Sequence, residues 1–344
     1  MPKLLSAPDK WRGSASATDV ADAVAQAGSR LGWVADLAPV SDGGEGFVEV
    51  VGGPNRTDRV TGPLGEPVEA RWYLRGSEAF IEMASASGLD IAGGAAGNDP
   101  LNATSRGTGE LIAAAVSAGA SRIVVGLGGS ACTDGGLGCF DVLRSDRRLA
   151  GIRLVGACDV LVPFEGALRF AAQKGATAEH LVPLAARLRE VAEIYETQCG
   201  LDVRGIPGAG AAGGLGGALA VLGAELVAGI EIVAEELELQ DRITAANLVV
   251  TGEGLLDPHS FEGKAVGWIL QRAAAAGIPT LVIVGQRDLD RLPESLVDGA
   301  VEVISLVERY GSGRALSNTL GCIEAVVEEF LTHEAGLRSL SPRR

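Results

Sequence analysis

Four segments of the chain place an acid, a serine or a lysine among glycines. They are Ser41-Asp42-Gly43-Gly44-Glu45-Gly46, Gly128-Gly129-Ser130-Ala131-Cys132-Thr133-Asp134-Gly135-Gly136, Gln173-Lys174-Gly175-Ala176 and Thr251-Gly252-Glu253-Gly254-Leu255-Leu256-Asp257. Glycines let the backbone approach a ligand and turn N–H groups toward one point, which makes a concavity for anions. Carboxylates beside such loops can hold Mg²⁺ or orient a hydroxyl for attack. Together these are the parts of a phosphoryl-transfer site. Any one cluster alone also reads as a plain turn, because Gly-Gly and Asp-Gly pairs favour turns; the recurrence of a functional residue type in all of them favours the site. Neither a Walker A loop nor a kinase glycine loop occurs. Gly208-Ala209-Gly210-Ala211-Ala212-Gly213 matches G-x-G-x-x-G, but it follows Ile206-Pro207 instead of a strand and lacks a well-placed ribose acid. Close helix packing, or a phosphate at a helix N-terminus, fits that segment better than a dinucleotide site. His180, His259 and His333 have no metal-ligand spacing, and there is no Gly-x-Ser-x-Gly elbow for covalent hydrolysis.

Three of the clusters directly follow an apolar run that predicts a strand or other extended segment, the place where open parallel sheets bind ligands. Lys3–Ala7 reads as a buried strand, followed by a helix with Val20, Val24, Ala27 and Leu31 on one face and Ser16-x-x-Asp19 as its capping box. Trp33–Val40 reads as a second strand. Further strands are predicted at Asn247–Thr251, Thr280–Val284 and Val301–Leu306, with helices near 264–276 and 319–332. Between these lies a segment of different character. Val68, Ala70, Trp72 and Leu74 alternate with polar residues, Arg75-Gly76-Ser77 makes a turn, and Ala79, Ile81 and Met83 continue the alternation, which predicts an antiparallel hairpin. A helix at Thr108–Ala118, a strand at Ile123–Leu127 and a helix carrying Leu184, Leu188, Val191 and Tyr195 complete that region. The expected architecture is α/β with two domains: a discontinuous parallel-sheet domain, 1–58 and 205–344, with an inserted α+β domain, 59–204.

Composition narrows the function classes. The chain has 344 residues, 29 Lys and Arg against 44 Asp and Glu, and a net charge of −15, which argues against nucleic acid as a partner. Its 49 glycines have no Gly-X-Y period and so must serve particular backbone positions. The five cysteines, Cys132, Cys139, Cys158, Cys199 and Cys322, are odd in number and have no zinc spacing, which predicts free thiols and a cytoplasmic setting. The N-terminus lacks the apolar core of a signal peptide. The uncharged stretch Gly205–Ala224 is long enough to span a membrane but too rich in Gly and Ala to insert well, and reads as buried and soluble.

In order along the chain, Ala7-Pro8-Asp9-Lys10-Trp11-Arg12-Gly13-Ser14, Asp42-Gly43-Gly44-Glu45-Gly46, Thr104-Ser105-Arg106-Gly107-Thr108-Gly109-Glu110, Gly126–Ser130 with Asp134-Gly135-Gly136, Gln173-Lys174-Gly175-Ala176, Gly208–Gly214 and Thr251-Gly252-Glu253-Gly254 with Asp257 and Gly263-Lys264 resemble the bacterial glycerate kinase family. The resemblance implies two α/β domains, one flavodoxin-like, with a cleft between them. It implies ATP- and Mg²⁺-dependent phosphorylation of glycerate or a related hydroxy acid, usually to 2-phosphoglycerate; the composition argues against a nucleic-acid or membrane partner, and a homodimer is one assembly the sequence leaves open. On this reading Lys174, Arg12 and Lys264 neutralise phosphate or carboxylate, and Gly128, Gly129, Ser130, Gly208, Gly210 and Gly213 bind the nucleotide phosphates. Asp42 and Asp257 act on the attacking hydroxyl, and Asp134 and Glu253 hold the metal. The sequence departs from the family pattern at Lys10 and Arg12, at Cys132 and Thr133 (usually Thr-Asn), at Val162 (usually Asn), at Ala171-Ala172 (usually Gly-Pro) and at Leu255 (usually Arg). These replacements motivate a rival reading, a binding paralogue without transfer activity; a nicotinamide-dependent oxidoreductase resting on Gly208–Gly213 is the third.

Overall fold

The computed structural model describes residues 1–11, 13–261, 263–288 and 300–333. Its strands, in chain order, are β1 (Lys3–Ser6), β2 (Val34–Leu37), β3 (Arg56–Thr61), β4 (Pro67–Arg75), β5 (Glu78–Glu82), β6 (Arg122–Gly126), β7 (Arg153–Cys158), β8 (Glu225–Ala228), β9 (Leu248–Leu256), β10 (Thr280–Arg287) and β11 (Val301–Ser305). The chain divides into two compact units, Met1–Ser41 with Val233–Arg344, and Asp42–Ile232.

The first unit is built on a wholly parallel sheet in the order β11-β10-β9-β1-β2. Counted within the unit this is 2-1-3-4-5, the flavodoxin order. The central strands are near-continuous apolar runs because both sheet faces are covered. β10 divides its residues by alternation. Leu281 and Ile283 enter the core formed with Val20 and Val24 of helix Ala17–Arg30 and with Ile323 and Val327 of helix Thr319–Thr332. Val282 and Val284 enter the opposite core with Val266 and Leu270 of helix Ala265–Ala276. Helix Ala17–Arg30 starts where the sequence places it, since the Ser16 hydroxyl accepts from the Asp19 N–H and the Asp19 carboxylate from the Ser16 N–H.

The second unit has a six-stranded mixed sheet, β3-β4-β5-β6-β7-β8, antiparallel over β3-β4-β5 and parallel from β5 to β8. The expected hairpin is β4–β5. Trp72, Ile81, Leu111, Ile123, Leu188 and Tyr195 are buried in one core, to which helices Arg106–Ser117 and Ala178–Cys199 contribute.

The domain limits expected from sequence, 58 and 205, differ from the limits of these units. Residues 42–58 belong with the second unit because β3 pairs with β4. Residues 205–232 belong there too: β8 extends the sheet beside β7, and Leu215, Ala218 and Leu219 enter the same core as Phe164 and Val191. The uncharged Gly205–Ala224 stretch is mostly buried packing, and no helix among the described residues is long and apolar enough to cross a membrane.

Candidate active site

In the second unit, the parallel strands β6 and β7 end side by side, with Gly126 opposite Ala157. The Leu127 N–H donates to the Ala157 carbonyl at 2.9 Å, and the chain then enters Gly128-Gly129-Ser130. A β-carbon on Gly128 would lie 2.4 Å from the Gly44 Cα and 3.4 Å from Asp159 Oδ2, so a residue without a side chain lets the Asp42–Gly46 loop rest there. Within that loop Asp42 Oδ1 accepts from the Gly44 N–H at 3.3 Å. Loops 42–46, 128–130 and the start of the loop after β7 thus meet at the carboxyl ends of parallel strands. Among the described residues Gly128 and Gly129 donate to no main-chain acceptor, and adjacent N–H groups of this kind can serve an anion.

Lys174 belongs to this cluster but is only 3 % exposed. Its ammonium donates to Ser130 Oγ at 2.7 Å and to the Cys132 carbonyl at 2.7 Å. Burial pulls its pKa below the ordinary lysine value, against the raising influence of Asp159 and Asp134. Asn98 holds the same region from the other side: its amide NH₂ donates to the Ala131 carbonyl at 3.0 Å and to the Lys174 carbonyl at 2.8 Å. The Cys132 thiol is fully buried beside Asp134, and both effects drive its pKa well up, so it stays protonated and inert.

Asp134 is not placed as a metal ligand. Its Oδ2 accepts from the Ser105 N–H and the Ser105 hydroxyl, both at 2.8 Å, and from the Gly138 N–H at 3.3 Å, while Oδ1 accepts from the Gly136 N–H at 3.0 Å. The two Ser105 bonds on Oδ2 join loop 134–138 to the start of helix Arg106–Ser117, while the Gly138 bond on Oδ2 and the single Gly136 bond on Oδ1 lie within the loop. The Gly208–Gly213 segment is likewise reassigned. The N–H groups of Gly208 and Gly210 both donate to the Val162 carbonyl at 3.1 Å, which removes them as phosphate donors. Gly213 has φ +70°, and a β-carbon there would fall 2.0 Å from the Cys132 carbonyl oxygen. The segment is a close-packing device, and no strand precedes it, so the oxidoreductase reading loses its support.

In the first unit, the carboxyl ends of β1 and β9 lie together at the point where strand order reverses. The Asp9 N–H donates to the Gly252 carbonyl at 2.9 Å, and the Thr251 hydroxyl to the Ala7 carbonyl at 2.7 Å. Asp9 is buried and Glu253 half-buried. β9 continues past the cluster to Leu256 because Glu253 and Leu255 pair with Val284 and Gln286 of β10. Asp257 caps a short turn, its Oδ1 accepting from the Ser260 N–H at 3.1 Å while its own N–H donates to Ser260 Oγ at 3.1 Å. Lys264 immediately precedes helix Ala265–Ala276, and its carbonyl accepts from the Trp268 N–H. Arg12 lies outside the described residues.

The structure therefore brings Asp42, Gly128, Gly129, Ser130 and Lys174 into one cluster, and groups Glu253, Asp257 and Lys264 along a single stretch of the first unit. Asp9 and Ser105 stand in motifs that carry the resemblance but were given no role there, and Asn98 and Asp159 were not singled out. Asp159 carried a usable signal, since it follows the apolar run Leu154–Cys158 as the other clusters follow theirs; Asn98 carried none, and the motif around Ser105 did not disclose its bond to Asp134, because the partners are distant in sequence.

The chain matches the profile of the glycerate kinase family over residues 4–145 and 140–332. It is 41 % identical over 324 residues to the glycerate 2-kinase of Escherichia coli K12, covering 82 % of this chain and 85 % of that one. It is 36 % identical over 345 residues to the glycerate kinase of Bacillus subtilis 168, covering 88 % and 90 %. A crystal structure described as that of a glycerate kinase 2 from Salmonella typhimurium LT2 is similar with a TM-score of 0.77 and 35 % identity, over 96 % of this chain and 97 % of that one.

Proposed function

The chain belongs to the glycerate kinase family and is an enzyme that phosphorylates an alcohol group, and from this we propose that it transfers the terminal phosphoryl group of ATP, with Mg²⁺, to a hydroxyl of glycerate or a close hydroxy acid. The observation that carries the proposal is the convergence of the Asp42 loop on the Gly128-Gly129 N–H pair at the ends of β6 and β7. Phosphoryl transfer asks a protein mainly to position its reactants and to stabilise charge on oxygens. The Gly128 and Gly129 N–H groups supply fixed donors for such oxygens. Asp42 orients the attacking hydroxyl, with its own loop held by the Gly44 contact. Lys264 and Arg12 neutralise phosphate charge.

Mg²⁺, when bound, neutralises charge on the phosphates of ATP. The donor set fits it unevenly. Glu253 is half-buried at a strand end in an oxygen-rich setting, next to the Gly252 carbonyl, and suits a hard cation. Asp134 fits less well, its Oδ2 already accepting three protein donors and its Oδ1 one. A cytoplasmic setting agrees with five unpaired cysteines.

The test is ADP release from ATP and Mg²⁺ in the presence of D-glycerate. The wild-type chain is expected to turn over, and Asp42→Asn to reduce kcat by about 100-fold or more with the fold intact, within the usual range for acid–base groups. Absence of turnover on D-glycerate and on related hydroxy acids would overturn the proposal.

A further inference from the structure

Lys174 looks, from its glycine cluster, like a cation that meets the ligand. Its surroundings give it a different task. At 3 % exposure it has almost no surface to offer, and its ammonium is already directed at Ser130 Oγ and the Cys132 carbonyl, each at 2.7 Å. A carbonyl oxygen can only accept; burial lowers the Lys174 pKa, the carboxylates of Asp159 and Asp134 act against that, and the amino group has hydrogens enough for both bonds in either state. Lys174 is therefore the donor in both bonds. This fixes Ser130. A hydroxyl has one hydrogen and two lone pairs, and with one lone pair taken by the ammonium its hydrogen must point away from Lys174. Among the described residues that hydrogen has no acceptor, although Ser130 is only 6 % exposed. A cation bound to the oxygen also polarises the O–H bond and makes it a stronger donor. The hydroxyl directly follows the two N–H groups of Gly128 and Gly129, so three donors stand consecutively along the loop.

On the kinase reading given above, we propose that Ser130 is the side chain that meets an anionic oxygen of the ligand, and that Lys174 is a positioning residue that acts only through it. Asn98 completes the arrangement by holding the carbonyls of Ala131 and Lys174 with one amide, which ties the serine loop to the lysine turn. The anionic oxygen belongs either to a phosphoryl group or to the substrate carboxylate, and two titrations separate these.

The experiment is calorimetric titration of the full-length protein with inorganic phosphate and, separately, with D-glycerate. It uses Ser130→Ala, Ser130→Thr, Lys174→Met and the double variant Ser130→Ala/Lys174→Met, with thermal unfolding as the check on folding. Ser130→Ala is expected to weaken one of the two ligands by roughly 10- to 100-fold, the usual weight of a hydrogen bond to a charged group. Weakening of phosphate assigns the oxygen to a phosphoryl group, and weakening of glycerate assigns it to the carboxylate. Ser130→Thr, which keeps the hydroxyl, is expected to restore most of the loss. Lys174→Met is expected to weaken the same ligand, and the double variant to lose no more than the worse single one. Unchanged binding of both ligands in Ser130→Ala overturns the proposal, as does a double-variant loss equal to the product of the single losses, because Lys174 would then meet the ligand itself. If Lys174→Met does not fold, the Ser130→Ala and Ser130→Thr pair still decides. These titrations need no turnover, so an inactive wild-type chain would remove the kinase reading without touching this one.

Discussion

Asp134 separates two accounts of the site, because the same carboxylate is either a metal ligand or a brace. It is 8 % exposed and accepts four hydrogen bonds, from the Ser105 N–H and hydroxyl and from the N–H groups of Gly136 and Gly138. Replacing it with alanine leaves those donors without an acceptor. Each unsatisfied buried donor costs about 1–3 kcal/mol, but water entering the vacated space serves some of them. Asp134→Ala is therefore expected to destabilise the protein by about 3–5 kcal/mol, the range that marks loss of a buried polar network. For a cooperative unit of this size that is a fall in Tm of roughly 10 °C. Asp134→Asn keeps one acceptor oxygen and turns an NH₂ group toward existing donors, so it should lose about half as much. Urea unfolding without nucleotide or metal reads these values directly. In parallel, the Mg²⁺ concentration needed for half-maximal turnover should stay the same in whatever fraction of Asp134→Asn is folded. Wild-type stability in both variants, coupled to a Mg²⁺ requirement raised by a factor of ten or more, would refute the brace and restore the ligand.

Gly128→Ala places a β-carbon 2.4 Å from the Gly44 Cα and is expected to displace the Asp42 loop; turnover should fall at least about tenfold with unchanged far-ultraviolet dichroism, and full activity would contradict the loop contact. Gly213→Ala drives a β-carbon against the Cys132 carbonyl that holds Lys174 and puts a side chain at φ +70°, so it should destabilise by about 2 kcal/mol or more in urea. Asp36 is partly buried, which raises its pKa, but hydrogen bonds from Arg242 and Lys3 outweigh this and hold it below the usual carboxylate value. Its contribution is present above the unfolded pKa of about 4 and is lost as the pH falls through the lower folded value; Asp36→Asn should therefore cost about 1 kcal/mol at neutral pH and progressively less in acid. Of the five cysteines only Cys199 is exposed, so one thiol should react at once with a disulfide reagent while the others wait for unfolding, and two fast thiols would count against the packing.

The strands and long helices of the first unit were readable because they carry local signatures, while its short helices Leu239–Thr244, Leu306–Tyr310 and Ser312–Ser317 were not. Leu281–Val284 is an unbroken apolar run, and the Ser16-x-x-Asp19 box closes on itself within one turn. Strands of the second unit that escaped notice lack such a signature. In β3 charged residues interrupt the run and Val60 is the one residue that is buried, as befits an edge. β7 contains Gly156, a weak strand former, because Leu226 packs where a side chain would stand. β8 is four residues long and owes its place to pairing with a strand about seventy residues earlier. The site divides in the same way. A carboxylate among glycines is equally visible whether it faces a ligand, as we propose for the Asp42 loop, or braces the fold, as Asp134 does. What distinguishes them is Ser105, which lies 29 residues before Asp134 and is brought to it by the fold alone.

The departures from the family pattern take on a different weight once the backbone is in view. Val162 stands where an asparagine is usual, yet its carbonyl accepts both the Gly208 and the Gly210 N–H, a task indifferent to the side chain. Cys132 offers Lys174 its carbonyl, and its thiol is held protonated by burial. Ala171, in place of a glycine, accepts the N–H groups of Lys174 and Ala176 through its main-chain oxygen. At these three positions the main chain makes the contacts that order the site, so the apolar replacements leave that framework in place. Leu255 is the exception: it stands where arginine is usual and is 47 % exposed. A change in what the enzyme accepts or how fast it acts is therefore better sought at Leu255 than at the buried replacements, and Leu255→Arg is the substitution that should alter the KM for an anionic substrate while leaving stability within about 0.5 kcal/mol.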